Sequence, residues 1–117
     1  MEPRSITIVM ASIPPEKEEE FNRWYNEEHV TGLLKVPGVL SARRYIEAPG
    51  QGDYGKLGIG ELIKAPKYAT LYEHANINVQ NSEAFKKVRY SAWSDRIRPH
   101  MKNRMRNMYY QMIPEPK

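Results

Sequence analysis

This chain of 117 residues is 40% hydrophobic and 27% charged, carries a net charge of +4 at pH 7 and contains no cysteine. Its length predicts a single domain over residues 1–117, and the lack of cysteine excludes disulfides, thiol nucleophiles and thiolate metal sites. The N-terminal residues lack the features of a signal peptide, and no apolar run reaches the roughly 20 residues that span a bilayer, so we expect a cytoplasmic protein without a membrane partner.

The first half of the chain predicts a strand, a helix and a second strand. Apolar residues occupy both faces of the segment 5–12, which is typical of a strand buried on both sides. Two prolines stop this strand, and the glutamates that follow favour the positive end of a helix at 16–34. A Pro-Gly pair ends the helix, and residues 39–48 then alternate as a second strand.

The second half is less regular, and its predicted elements are a loop at 49–58, a strand at 58–64 or 67–75, a helix at 82–101, a strand at 103–113 and a frayed tail at 113–117. Pro66 separates the two candidates for the third strand, and we favour the later and longer one. Asn81 or Ser82 is the expected N-cap of the second helix, in which apolar residues recur at spacings of three and four. Pro99 kinks this helix or lies in its last turn.

This order of elements predicts an α+β fold of the ferredoxin-like type, βαββαβ, in which two helices cover one face of a four-stranded antiparallel sheet. The other face of the sheet has no helix to cover it. Because the first strand carries apolar residues on both faces, the uncovered face needs a partner. We therefore expect a homodimer that packs through the sheet faces.

Charge is unevenly distributed along the chain. Six glutamates lie between Glu16 and Glu28, whereas eight lysines and arginines lie between Lys86 and Arg106. A basic helix can hold nucleic acid phosphates, but a solvated basic face is the simpler interpretation. Since the chain has no glycine-rich phosphate loop, zinc-finger spacing or ribonucleoprotein signature, a nucleic-acid partner ranks low.

Two histidines lie in patterns that indicate a site. Tyr25 and His29 are four residues apart and share one face of the predicted helix, where His29 either transfers protons near neutral pH or is a helix-end histidine bonded to its neighbours. On the third strand, Tyr68, Tyr72 and His74 point to one side. That side faces either the helices or a partner chain, and the sequence leaves both open.

Arginines and tryptophans offer further ligand contacts. Arg43 and Arg44 point to opposite faces of the second strand, so at most one of them enters a cavity to hold a carboxylate or phenolate. Trp24 and Trp93 either form the core where the helices meet or flank a flat ligand. The histidines have no metal-binding spacing, and we expect no metal site.

Three segments resemble a known superfamily: WYNEEHVTGLLKVPGVLSARRY (24–45), KYATLYE (67–73) and SEAFKKVRYSAW (82–93). They are similar to the dimeric α/β-barrel superfamily, particularly its EthD-like and stress-responsive A/B-barrel branches. The resemblance implies pairing of the sheets into a dimeric α/β barrel and a small cavity between helices and sheet for a cyclic organic ligand. Members include polyketide cyclases, muconolactone isomerases, cofactor-free monooxygenases, dye-decolorising peroxidases and proteins of unknown activity.

Together, the residues and the resemblance predict an enzyme that needs no cofactor and acts by acid–base proton transfer on a small cyclic or aromatic carbonyl compound, as an isomerase, lyase or polyketide cyclase. The expected catalytic residues are His29, His74 and Tyr72. The expected ligand-binding residues are Tyr25, Phe21, Trp24, Arg43, Arg44, Tyr68 and Trp93. The alternative is a non-catalytic ligand-binding protein of the same fold, followed by a cofactor-free monooxygenase and a nucleic-acid-binding protein.

Overall fold

The computed structural model describes residues 4–50 and 65–114. The elements in chain order are β1 (Ser5–Ser12), α1 (Pro15–Arg23), a π-helical turn (Trp24–His29), α2 (Val30–Leu33), β2 (Val39–Ile46), β3 (Tyr68–His74), a 3-10 turn (Ile77–Asn81), α3 (Glu83–Arg89), α4 (Ala92–Ile97), a second 3-10 turn (Arg98–His100) and β4 (Lys102–Tyr110). The four strands form one antiparallel sheet in the order β2-β3-β1-β4. The predicted ferredoxin-like fold is confirmed.

The first helix begins one residue earlier than predicted and ends at Leu33, but it is not a uniform α-helix. In its middle, the π-helical turn Trp24–His29 replaces α-helical hydrogen bonds, and the N–H of Val30 donates to the carbonyl of Tyr25, five residues back. Wider turns of this kind align side chains that are five residues apart and recur at functional sites. Periodicity in the sequence did not reveal this turn.

The second helix differs more from its prediction. Instead of one helix at 82–101, the chain forms α3 and α4, each with its own serine cap. The Ser82 hydroxyl accepts a hydrogen bond from the N–H of Phe85, and the Ser91 hydroxyl accepts one from the N–H of Ser94. Because Ser91 has an extended backbone, the helix cannot continue through it. Ala92, the first residue of α4, is exposed.

The strand boundaries lie within three residues of the predictions. The favoured third strand is present as Tyr68–His74, whereas the earlier candidate at 58–64 lies outside the described residues. Strand β2 ends at Ile46 and β4 runs over Lys102–Tyr110. Among the described residues, no helix is both long and apolar enough to cross a membrane.

The sheet has an unusual distribution of polarity between its two faces. Under the helices, β1 and β3 present buried residues that are largely polar: Ser5, Thr7, Val9, Ala11, Tyr68, Thr70, Tyr72 and His74. The open face carries three cross-strand rows, Ser41–Glu73–Ile6–Tyr109, Arg43–Leu71–Ile8–Asn107 and Tyr45–Ala69–Met10–Met105. The prediction that β1 is buried on both sides therefore fails within one chain, where Ile6, Ile8 and Met10 are only half-buried.

Two apolar clusters pack between the helices and the sheet. One is centred on Leu33, Val79 and Phe85, and the other on Phe21, Trp24 and Ile97. Burial of these side chains stabilises the fold, at about 25 cal/mol for each Å² of apolar surface removed from water. The polar residues of the covered face lie beside these clusters and mark the candidate site.

Candidate functional site

A cavity lies between the helices and the covered face of the sheet. Its volume is about 20 Å³, which is space for about one water molecule. Its lining combines aromatic, histidine and arginine side chains: Thr7, Val9, Trp24, Tyr25, His29, Leu33, Tyr72, His74, Phe85, Arg89, Arg98, Met101, Arg104 and Arg106.

The π-helical turn holds the inner wall of the cavity in place. Its wide spacing stacks the ring of Trp24 on that of His29, with centroids 4.5 Å apart and planes inclined by 24°. The indole N–H of Trp24 donates to the buried hydroxyl of Ser94 at 3.0 Å, which ties the turn to α4. Tyr25 meets His29 edge to face at 5.6 Å. The imidazole is therefore fixed between two aromatic rings.

His29 is an uncharged histidine in this environment. Burial lowers its pKa from 6.5 to about 3, and the charges of Arg98, Arg89 and Arg104 act in the same direction. Its Nδ1 atom is buried and has no hydrogen-bond partner among the described residues. A neutral imidazole with a free ring nitrogen can accept a proton or a hydrogen bond from a ligand.

Strand β3 supplies the opposite wall. The ring of Tyr72 lies nearly parallel to that of His74, with centroids 6.3 Å apart, and His74 Nε2 is hydrogen-bonded to Thr7 Oγ1 at 3.1 Å. The Nδ1 atom of His74 is also buried without a partner in the described part of the chain. Burial, followed by the charge of Arg106, lowers the pKa of His74.

The two phenols of the cavity remain protonated at neutral pH. Burial raises the pKa of Tyr25, and it raises the pKa of Tyr72 well above its ordinary value. Tyr25 also shares a hydrogen bond with Thr70. Protonated phenols donate hydrogen bonds, so the wall can stabilise negative charge that develops on a ligand oxygen.

Of the residues predicted from the sequence, the structure brings Trp24, Tyr25, His29, Tyr72 and His74 together around the cavity. The side of β3 that the sequence left undecided faces the helices. The proximity of Tyr25 and His29 could be read from their spacing, whereas their proximity to β3 depends on the packing of the helix on the sheet.

Three other predicted ligand-binding residues lie outside this cavity. Phe21 and Tyr68 pack against each other, with centroids 5.3 Å apart, and the Tyr68 hydroxyl donates to Glu18. The guanidinium of Arg44 lies over the ring of Tyr25 at 4.4 Å and donates to two asparagines of the first helix. Arg44 therefore packs against Tyr25 from outside the cavity and links β2 to the first helix.

Arg43 and Trp93 are also separate from the cavity. Arg43 lies on the open face of the sheet, in the row with Leu71. The indole N–H of Trp93 donates to the carboxylate of Glu20 at 3.1 Å, on the outer side of the helices. Neither residue is positioned to contact a ligand in the cavity.

Sequence reasoning missed four arginines that line the cavity: Arg89, Arg98, Arg104 and Arg106. They belong to the basic second half of the chain, whose positive charge was equally consistent with a helix face exposed to solvent. One signal was available in the sequence: Arg104 and Arg106 are two residues apart on the last strand and therefore point to the same face. Among residues 4–50 and 65–114, no three His, Asp or Glu side chains converge as metal ligands would.

No protein-family model and no curated protein matches this chain. Its similarity to known proteins is therefore to solved structures. A candidate antibiotic biosynthesis monooxygenase from Nitrosomonas europaea is 18% identical, with a TM-score of 0.62 over 99% of this chain and 97% of that one. A mutant of SnoaB, a cofactor-independent oxygenase from Streptomyces nogalater, is 11% identical, with a TM-score of 0.57 over 97% and 99%. A dabb family protein with a ferredoxin-like fold from Mesorhizobium loti is 10% identical, with a TM-score of 0.59 over 95% and 99%.

These matches correct the expected reaction. The sequence favoured an isomerase, lyase or cyclase and ranked a cofactor-free monooxygenase lower, but matched structures are named monooxygenase or oxygenase. That ranking is wrong. Since the identities are below 20%, the similarity by itself shows the fold and not the reaction. The chain therefore has the ferredoxin-like fold that these monooxygenase-type and dabb proteins share.

Proposed function

We propose that this protein is a cofactor-free oxygenase that uses dioxygen to oxidise a small cyclic or aromatic carbonyl compound. The observation that carries the proposal is the neutral His29, whose free Nδ1 lies in a cavity walled by aromatic rings and lined by cations. The names of similar structures support oxygen chemistry on this fold. The EthD-like branch suggested by the sequence remains a prediction.

The reaction begins at an activated methylene group beside the carbonyl of the substrate. His29 Nδ1 accepts one proton from this carbon, and the resulting enolate transfers electrons to dioxygen and forms a carbon–oxygen bond. The proton returns to the peroxide, and loss of water leaves a new carbonyl at the former methylene carbon. Each methylene group and dioxygen molecule thus give one carbonyl group and one water molecule, which balances with no other oxidant or reductant.

The surroundings of His29 suit these steps. Its low pKa makes it a weak base before substrate binds, because the imidazolium would be desolvated among arginines. An enolate formed beside it offsets that positive charge and therefore favours the proton transfer. The Tyr25 and Tyr72 hydroxyls, kept protonated by burial, can donate to the enolate oxygen.

The cavity is too small to hold a cyclic substrate with its side chains in their present positions. Pockets for drug-sized ligands measure about 300–1,000 Å³, far more than the 20 Å³ found between these side chains. A cyclic substrate can enter only when lining side chains move outwards. The long side chain of Arg104 is suited to this movement, because Arg104 is exposed.

Oxygen uptake tests the proposal. Purified protein without added cofactor is mixed with small aryl ketones that carry an activated methylene group, and the dioxygen concentration is followed with an electrode. His29→Gln should slow uptake by about 10²–10⁴-fold, the usual contribution of general acid–base catalysis. His100→Gln replaces an exposed histidine outside the cavity and should retain the wild-type rate.

Two results would contradict the oxygenase proposal. Conversion of the ketone at an unchanged rate under argon would show that dioxygen takes no part. Binding of the ketone with no uptake by the wild type would instead favour the non-catalytic binding protein that the sequence left as an alternative.

We also propose that two chains pair through the open faces of their sheets. The rows on this face place Ile6, Ile8 and Met10 of β1 beside several apolar neighbours on β3 and β4. An apolar sheet face without helices is costly to leave in water, and a second copy presents the same face as cover. The charged members Arg43 and Glu73 lie on β2 and β3, towards one side of this patch.

A further inference from the structure

Four arginines reach the cavity from two separate parts of the chain. Arg89 ends α3 and Arg98 lies in the 3-10 turn after α4, whereas Arg104 and Arg106 lie on β4. Strand pairing sets Arg106 opposite Val9, which also lines the cavity. Helix ends and an edge strand thus bring their positive charges to one place.

Little negative charge faces these guanidinium groups. Of the ion pairs within residues 4–50 and 65–114, only one involves any of the four, between Arg98 and the largely exposed Asp95 at 3.8 Å. The other hydrogen bonds of Arg98 and Arg106 go to a backbone carbonyl and a side-chain amide, neither of which is charged. Burial is the main cause that lowers the pKa of both arginines, and the positive charges of Arg89 and Arg104 lower it further.

The inner part of the cavity has different chemistry. His29 and His74 each leave a buried Nδ1 without a partner among the described residues, and the aromatic rings of Trp24, Tyr25 and Tyr72 form the walls. Such a surface suits a flat ring that carries polar groups at its edge. The cavity is therefore aromatic inside and cationic where the arginines meet.

We propose that the cavity binds its ligand as an aromatic carboxylate, with the carboxylate between the guanidinium groups of Arg98 and Arg104 and the ring against Tyr25 and Tyr72. Guanidinium binds carboxylate through two parallel hydrogen bonds, and one negative charge relieves the repulsion among the arginines. This inference rests on the proposed function in placing the ligand in the same cavity. It narrows the substrate to aromatic ketones that also carry a carboxylate.

Calorimetric titration with 2-naphthoate and 2-naphthamide at neutral pH and low salt tests the inference. The two probes share their ring system and differ in charge. Since hydrogen bonds to charged groups are stronger than those between neutral groups, naphthoate should bind at least about tenfold more tightly than naphthamide. Added salt should weaken the binding of naphthoate more than that of naphthamide.

Arginine variants then locate the charge recognition. Arg98→Gln and Arg104→Gln should each weaken naphthoate binding by about tenfold and leave naphthamide binding unchanged. Arg104 is exposed, so its replacement should leave the fold intact even if Arg98→Gln does not. Arg96→Gln is the matched control, because Arg96 is exposed and pairs with Glu20 outside the cavity.

Three outcomes would overturn the inference: no binding of naphthoate, equal binding of the two probes, or an equal effect of Arg96→Gln and Arg104→Gln. Its failure can be told apart from failure of the oxygenase proposal. Oxygen uptake with an uncharged ketone, but no preference for naphthoate, rejects only the carboxylate site. Preference for naphthoate with no oxygen uptake on any ketone supports the carboxylate site and rejects the oxygenase.

Discussion

Replacing His29 with glutamine should reduce the loss of stability that the wild-type protein shows on acidification. In the folded chain, burial and then the charges of nearby arginines lower the pKa of His29 from 6.5 to about 3. In the unfolded chain the imidazole is hydrated and distant from those cations, so its pKa returns to its ordinary value. Between these two pKa values, the unfolded state binds a proton that the folded state does not.

The sign and size of the effect follow from this difference. The protonation of His29 does not reduce the free energy of unfolding above pH 6.5. It lowers that free energy progressively as the pH falls from 6.5 towards 3, because only the unfolded state gains the proton in that range. At about pH 5 the unfolded histidine is about 1.5 pH units below its pKa, which corresponds to a loss of about 2 kcal/mol. Because the folded pKa of about 3 lies well below pH 5, the loss at this pH is set by the pKa of the unfolded state.

Urea unfolding at about pH 7.5 and about pH 5, at one protein concentration, measures this loss. The wild type should lose about 2 kcal/mol more than His29→Gln between the two conditions. His74, whose pKa is also lowered by burial, contributes to both proteins and cancels in the comparison. His100→Gln, at an exposed position, controls for the replacement of a histidine as such. Equal losses in the wild type and His29→Gln would refute the inference that His29 is neutral in the folded protein.

Four further substitutions test packing and assembly. Gly38→Ala should lower the free energy of unfolding by at least about 2 kcal/mol, since Gly38 has a φ of +93° and its added Cβ would lie 2.5 Å from a valine methyl group. Gly50→Ala, at a φ of +66° and with no described atom within 4 Å, should cost only about 1 kcal/mol, and equal costs at both glycines would contradict the steric argument. Ser94→Ala removes the acceptor of the buried Trp24 indole N–H and should cost about 1–3 kcal/mol in urea unfolding, whereas an unchanged value would show that this hydrogen bond does not stabilise the fold. Ile8→Glu puts a charge on the open sheet face and should convert the proposed dimer to a monomer in analytical ultracentrifugation, and a dimer that persists would exclude that face as the interface.

The order of elements could be predicted because its signals are local. A short apolar segment that two prolines end predicts β1 at Ser5–Ser12, and the Pro-Gly pair after Val36 ends the first helix wherever the rest of the chain packs. The break between α3 and α4 was missed although its signal is local too. Ser91 competes as an N-cap within an apolar stripe that also fits one continuous helix.

The candidate site could be predicted only in part, for a different reason. The helix period places Tyr25 near His29, and the strand period places Tyr72 near His74, so each half of the inner wall was visible in the sequence. Whether the two halves meet depends on which face of the sheet the helices cover.

The positive charge around the cavity depends on the tertiary structure and could not be predicted from the sequence. Arg89 and Arg106 are 17 positions apart and share a cavity with His29 only because β4 pairs with β1 beneath the helices. The pKa of His29 follows from that packing, since burial and charge are properties of its surroundings and not of its sequence neighbours. The sequence by itself therefore determined the elements and the residue types available for chemistry, whereas the packing of the helices on the sheet decided which of them share a cavity and in which protonation state.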